Sequence, residues 1–269
     1  MRASDTPPIL REKYFDAPSV FTPEALLREA RRQKGAEPNP VPNLCILDPD
    51  GDIVRALRST GRARRNRDWV CYHTEMDLFD LNGQEVGIVG CAVGASFAVL
   101  VAEEMFASGC TLLVSITSSG QLSAMEKLPC FILIDRALRD EGTSYHYLPP
   151  AEFSEAPAHL VRALSDAFAG FGEPVLQGAT WTTDAPFRET SMAIEAMTQR
   201  GLLAVEMEAA ALYAFAAARG KDVLCFAHVT NQMGRVEGDF EKGEADGATQ
   251  ALELIATVAR RLCAGQAAG

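Results

Sequence analysis

The chain is 269 residues long, 48% hydrophobic and 23% charged, with a formal net charge of −11. That length can bury a substantial core, and the composition excludes a disordered or low-complexity chain. The acidic balance argues against nonspecific binding to nucleic acid or to anionic membranes, both of which attract cationic surfaces.

Residues 1–43, rich in proline and charge, read as an N-terminal extension. Its one predicted helix is "TPEALLREARRQKG" (22–35), with Thr22 as N-cap, Pro23 at the first helical position and Gly35 as the stop. Next, "NLCILD" (43–48) is a strand followed by the turn "PDGD". The arginine-rich "RSTGRARRNRD" (58–68) is a solvated loop or a phosphate site, the former being favoured. "GQEVGIVGCAV" (83–93) is a strand running into Gly94, and "GASFAVLVAEEMFASG" (94–109) is the helix that follows. "CTLLVSIT" (110–117) leads as a strand into "SSGQ", and "CFILID" (130–135) is another. A helix near 156–170, the strand "PVLQGATWTT" (174–183) and a helix near 189–200 come next. "LLAVEM", a helix over about 207–219, the strand "VLCFAHVT" (223–230) and the helix "DGATQALELIATVARRLCAG" complete the chain.

Short apolar runs alternating with helices predict an α/β fold: one three-layer α/β/α domain over 44–269, with a mixed and mostly buried central sheet. Seven scattered cysteines, with no C-x-x-C pair, fit reduced thiols in a cytoplasmic enzyme. Neither a metal cluster nor an organic cofactor is signalled. "MRASDTPPILREKYF" lacks the apolar centre of a secretory signal, and no apolar run reaches the roughly 20 residues of a membrane helix.

In sheets of this kind ligands bind beyond the carboxyl ends of the strands. The polar strand ends are Asp48–Asp52, Gly90–Ser96, Thr117–Gln121, Thr182–Arg188, Glu206–Glu208 and Thr230–Gln232. Among them, "GLLAVEMEAAALYAFAAARG" (201–220) is unusual in setting two carboxylates amid apolar residues. Glu208, in the first turn of a helix, is accounted for by free amides and the helix dipole. Glu206 still needs a partner. The functional alternative is that a carboxylate here accepts hydrogen bonds from a vicinal diol, such as the hydroxyls of a ribose.

"AVEMEAAALYAFAA" resembles the signature segment of the nucleoside phosphorylase superfamily, which includes purine nucleoside phosphorylases, uridine phosphorylases and nucleosidases. "LDPDGDIVR", "GIVGCAVGASFAVLVAEEM", "SITSSGQ", "TTDAPFRE" and "HVTNQ" follow the same plan over 43–265. The resemblance implies cleavage of an N-glycosidic bond by phosphorolysis, with no cofactor, phosphate as co-substrate and a homo-oligomer between dimer and hexamer. Met207 and Glu208 would hold the ribose beside Glu206. Phe187 or Trp181 would face the base, and Arg188, Asn231 and Gln232 would read it or stabilise it on departure. Asp50, Gly51, Arg55, Gly94, Thr117, Ser118 and Ser119 would border the phosphate or water. "RDEGTSYHYLPPAEF" is closer to the uridine side of the family than to the purine side.

The pattern also departs from the family's. Ile53 falls near the place of the first phosphate arginine, with Arg55 two residues on, and Ser115 stands where another is expected. "CYHTEM" (71–76) contains no arginine, although the family draws one there from a neighbouring subunit. Asn231 replaces the aspartate that protonates a purine, so a pyrimidine or other non-standard base is expected. His146 and His228 are further candidate proton carriers. These departures keep open a phosphate-independent hydrolase and a nucleoside-binding protein without turnover.

Overall fold

β1 (Leu44–Asp48) is wholly buried, as a continuous apolar run must be when both sheet faces are covered. The computed structural model describes residues 6–231, 242 and 244–263. After α1 (Pro23–Lys34) and β1 the order is α2 (Asp52–Ser59), β2 (Ala63–Arg65), β3 (Met76–Leu81), β4 (Gln84–Gly90) and α3 (Ala95–Ala107). There follow β5 (Leu112–Gln121), β6 (Cys130–Asp140), β7 (Phe153–Glu155), α4 (Ala158–Ala163) and β8 (Val175–Thr183). The chain continues through α5 (Ser191–Gln199), β9 (Ala204–Glu206), α6 (Ala209–Arg219), β10 (Asp222–Asn231) and α7 (Ala248–Leu262).

The fold is α/β with a mixed ten-stranded sheet, as expected. β4, β1, β5 and β10 run parallel, while β3 and β2 extend the β4 side antiparallel. The sheet also closes on itself. β5 pairs with β9, β9 with β8, β8 with β6 and β6 with β10, and β10 returns to β5. One face packs a core containing Val99 and Met105 of α3 with Leu212 and Phe215 of α6. The other packs Ile53 and Leu57 of α2 with Leu254, Ile255 and Val258 of α7.

Several stretches differ from the sequence expectation, which did not include the strands β2, β3 and β7. "DIVRALRS" is the helix α2, because Ile53, Val54 and Leu57 fall on one buried face. β5 and β6 run several residues past their apolar segments, since ring closure gives their polar ends strand partners. The helix near 156–170 is reduced to α4 followed by turns. All seven thiols are free. Among the described residues, no helix is long and apolar enough to cross a membrane.

The basic stretch 58–68 is largely neutralised within the edge of the sheet. Arg58 pairs with Asp77 at 2.6 Å and Glu75 at 3.2 Å, Arg64 with Glu85, and Arg65 with Glu75. In the extension, Thr22 Oγ1 accepts from the Ala25 amide at 3.2 Å and Gly35 closes α1 at φ 62°. Leu27 and Ala30 of α1 are buried with Val70.

Candidate active site at the strand ends

The site forms where β9 meets β5. The two strands are antiparallel, with Gly120 opposite Val205 and Gln121 opposite Ala204. Chain leaving β9 therefore runs back along β5 and carries Glu208 to the Thr117 hydroxyl, which donates to its carboxylate. Glu206 and Glu208 are 3% and 1% exposed, and neither has a cation partner among the described ion pairs.

The carboxylates are satisfied unequally. One Glu206 oxygen accepts from Thr180 Oγ1 at 3.1 Å and from Thr182 Oγ1, and the other from the amides of Glu208 and Ala209, both at 2.7 Å. Thr180 and Thr182 share one face of β8, because strand side chains alternate. Thr182 stands opposite Glu206, and its hydroxyl also accepts from the Ala210 amide at 2.9 Å. Glu206 is therefore a structural anchor for the β9–α6 turn. Glu208 accepts from the Gly94 amide at 2.7 Å and, more loosely, from the Met207 amide at 3.3 Å. Burial, and then the neighbouring Glu206, push the Glu208 carboxyl up to about 8.

Gly94 opens α3 at φ 93°, a conformation that presents its amide to Glu208 and suits glycine. Across the cleft, Asp48 at the end of β1 accepts from the amides of Gly51 at 3.1 Å and Val54 at 2.9 Å. Burial raises its carboxyl to about 7. Gly51 has φ 78°, and a Cβ there would lie 2.6 Å from Cys91 Sγ and 2.9 Å from Arg55 Nη1, so the Arg55 guanidinium lies over this glycine. Asp50 Oδ2 accepts from the Ser118 amide at 2.7 Å. Asp52 is paired with both Arg55 and Lys242.

Asp50, Gly51, Arg55, Gly94, Thr117, Ser118 and Glu208 thus gather at the ends of β1, β4 and β5 with Glu206 buried beneath them, while Ser119 is buried at 3% exposure with its hydroxyl on the Thr117 carbonyl. On the base side, Phe187 is 99% exposed and Arg188 is exposed on the segment leaving β8. Trp181 is instead packed with Leu138 and Val205, its indole nitrogen donating to Asp140 at 2.9 Å. Gln232 and the side chain of Asn231 lie outside the described residues. His228 is buried and stacked on Phe131 at 4.3 Å, and burial lowers it to about 4. His146 contacts Lys13 at 2.9 Å in a groove beneath the extension.

Sequence reasoning did not find Asp52 as the shared counter-ion, Lys242, or the two threonines holding Glu206. The threonines carried a signal, because "TWT" alternates polar residues on one strand face. Among the described residues there is no group of three or more His, Cys, Asp or Glu side chains suited to a metal ion.

The chain shares its fold with solved uridine phosphorylase from Vibrio fischeri ES114, in complex with 6-hydroxy-1-naphthoic acid. The TM-score is 0.71 at 20% identity, covering 87% of this chain and 99% of that one. A DeoD-type purine nucleoside phosphorylase of Jannaschia sp. (strain CCS1) is 28% identical over 210 residues, spanning 74% of this chain and 86% of the relative. A guanosine phosphorylase of Halorubrum lacusprofundi is 26% identical over 222 residues, or 81% and 82% of the two chains. The family model described as the Phosphorylase superfamily matches residues 43–264, a span that includes every element from β1 to α7 and both glutamates of the cleft. This chain belongs to the Phosphorylase superfamily.

Proposed function

We propose that this chain is a cytoplasmic pentosyl-transferring enzyme that cleaves the N-glycosidic bond of a nucleoside, with Glu208 and Met207 clamping the ribose. The observation that carries the proposal is the imbalance between the two buried carboxylates. Glu206 has four donors, two to each oxygen, whereas Glu208 has three, the Gly94 amide at 2.7 Å, the Thr117 hydroxyl and the Met207 amide at a loose 3.3 Å. An under-satisfied buried carboxylate costs free energy unless a ligand completes it. A vicinal diol offers two further donors to this carboxylate.

Bond cleavage passes through an oxocarbenium-like sugar, so the departing base must be steadied while a nucleophile approaches the opposite face. Phe187 and Arg188, exposed on the segment leaving β8, are the residues we assign to the base, together with Asn231 and Gln232 of the sequence "HVTNQ". Asparagine in place of a general acid favours a pyrimidine or another base carrying an oxo acceptor. Transfer to phosphate, giving base and ribose 1-phosphate, is the reaction that family membership favours. Hydrolysis is the second reading, and the Asp50–Ser118 hydrogen bond is the observation favouring it. A homo-oligomer is the assembly we expect, which sedimentation measures.

The test is incubation of the purified chain with a panel of pyrimidine and purine nucleosides, with chromatography for free base. Release of base from at least one nucleoside, lost in E208Q, is the expected result. Tight nucleoside binding with no release would identify a binding protein, and affinity unchanged in E208A would remove the clamp.

A further inference from the structure

Among the described residues of the cleft, the amides and cations at the ends of β1, β4 and β5 are already taken by the chain's own carboxylates. The Ser118 amide is bonded to Asp50 at 2.7 Å, the Gly94 amide to Glu208 at 2.7 Å, and the amides opening α2 to Asp48. The cations Arg55 and Lys242 are both paired with Asp52. A phosphate dianion would have to displace Asp50 from Ser118 and then sit beside Asp50 and Asp52, whose sign repels it.

The space that remains has another size and character. A cavity of about 20 Å³ lies between Asp48, Asp50, Asp52, Thr117, Ser118 and His228. That is room for a water with several polar partners, not for a five-atom tetrahedral anion. Thr117 lines this cavity and also donates to Glu208, so the cavity adjoins the ribose clamp. The Asp50 side chain is 32% exposed, and its Oδ1 stands 4.0 Å from Lys242 Nζ, leaving lone pairs for a hydrogen bond from water.

Resting on the proposed nucleoside cleavage, we infer that the acceptor in this chain is water, and that Asp50 fills the phosphate's place and takes the water's proton. The water oxygen bonds to C1′ as the C1′–N bond breaks. Its proton passes to the Asp50 carboxylate, and the bonding pair leaves on the base nitrogen, which takes a proton from solvent. One water is consumed, free base and free ribose are formed, and Asp50 returns its proton to solvent. Asp50 is then a catalytic residue, held in position by the Ser118 amide.

The deciding experiment follows a nucleoside that the enzyme cleaves, with and without inorganic phosphate, and assays ribose 1-phosphate by phosphorus NMR and free ribose by reducing-sugar assay. Free ribose at a rate indifferent to phosphate is expected. Ribose 1-phosphate formed at a phosphate-dependent rate overturns the inference while leaving nucleoside cleavage standing. Absence of base release with either acceptor overturns the cleavage proposal and this inference with it. D50N, checked for native unfolding temperature, is expected to lower kcat by about 100-fold or more with KM little changed. An unchanged kcat, or a new dependence on phosphate, overturns the base role and leaves Asp50 a plug. Product analysis of the unmodified chain decides the acceptor even if D50N does not fold.

Discussion

Glu208 links the chemistry to stability, with a sign that can be measured. Its carboxyl is raised to about 8 by burial, from an ordinary value of 4.5. Between those values the folded chain keeps a proton that the unfolded chain releases, so stability falls as pH rises through that window. Glutamine is neutral in both states. E208Q is therefore expected to gain at least about 1 kcal/mol at pH 8, roughly 2–4 °C in Tm, with the gain fading toward pH 4, while nucleoside binding is lost. Thermal unfolding at both pH values checks this, and a variant no more stable at pH 8 would show that Glu208 ionises in the fold without penalty. His228 has the opposite sign. Burial lowers it from 6.5 to about 4, so the unfolded chain binds the extra proton and stability rises with pH between those values. H228Q is expected to flatten that slope, whatever the lost stacking on Phe131 does to the absolute level. A slope as steep as that of the unmodified chain would assign the acid sensitivity to other groups.

At the scale of elements, the two glycines of the cleft are special for different reasons. At Gly51 a methyl group would meet Cys91 Sγ at 2.6 Å in addition to the strain of φ 78°, whereas at Gly94 nothing lies within 4 Å and only φ 93° opposes it. G51A is expected to cost about 2–3 kcal/mol and G94A about 1 kcal/mol, read by denaturant unfolding. Equal costs would mean that the Cys91 turn gives way freely. Local patterns of this kind made much of the fold legible. Thr22, Pro23 and Gly35 bound α1 because caps act through bonds within a few residues. The turn signals of "PDGD" and the many arginines obscured α2, whose apolar face is only Ile53, Val54 and Leu57. In the cleft, Glu206 and Glu208 were legible because carboxylates in an apolar run demand an explanation. Their separation into an anchor and a proposed clamp was not, because it depends on hydroxyls from β8, more than twenty residues away in sequence.

The whole molecule explains both what the chain pattern could not show and how the extension relates to the site. Ring closure joins β5, β9, β8, β6 and β10 through pairings between distant segments, and no local periodicity encodes which strand meets which. The cleft is built on this ring and on β1, whereas α1 lies against α3 and the 69–71 segment, where Lys34 Nζ donates to the carbonyls of Val70 at 2.7 Å and Cys71 at 3.0 Å. Removing residues 1–35 strips the cover from Val70 and deletes the buried Leu27, a loss of about 2–3 kcal/mol for that side chain alone. It leaves every donor to Glu206 and Glu208 in place. The shortened chain should therefore unfold at a lower temperature but keep its far-ultraviolet circular dichroism and its KM for nucleoside. If KM instead rises sharply while the fold persists, the extension reaches a cleft, either its own through α3 and Gly94 or that of a neighbouring subunit. Mixing the shortened chain with an E208Q full-length chain distinguishes the two. Recovery of activity on mixing requires a full-length subunit to complete the shortened subunit's cleft, whereas failure to recover points to the path through α3.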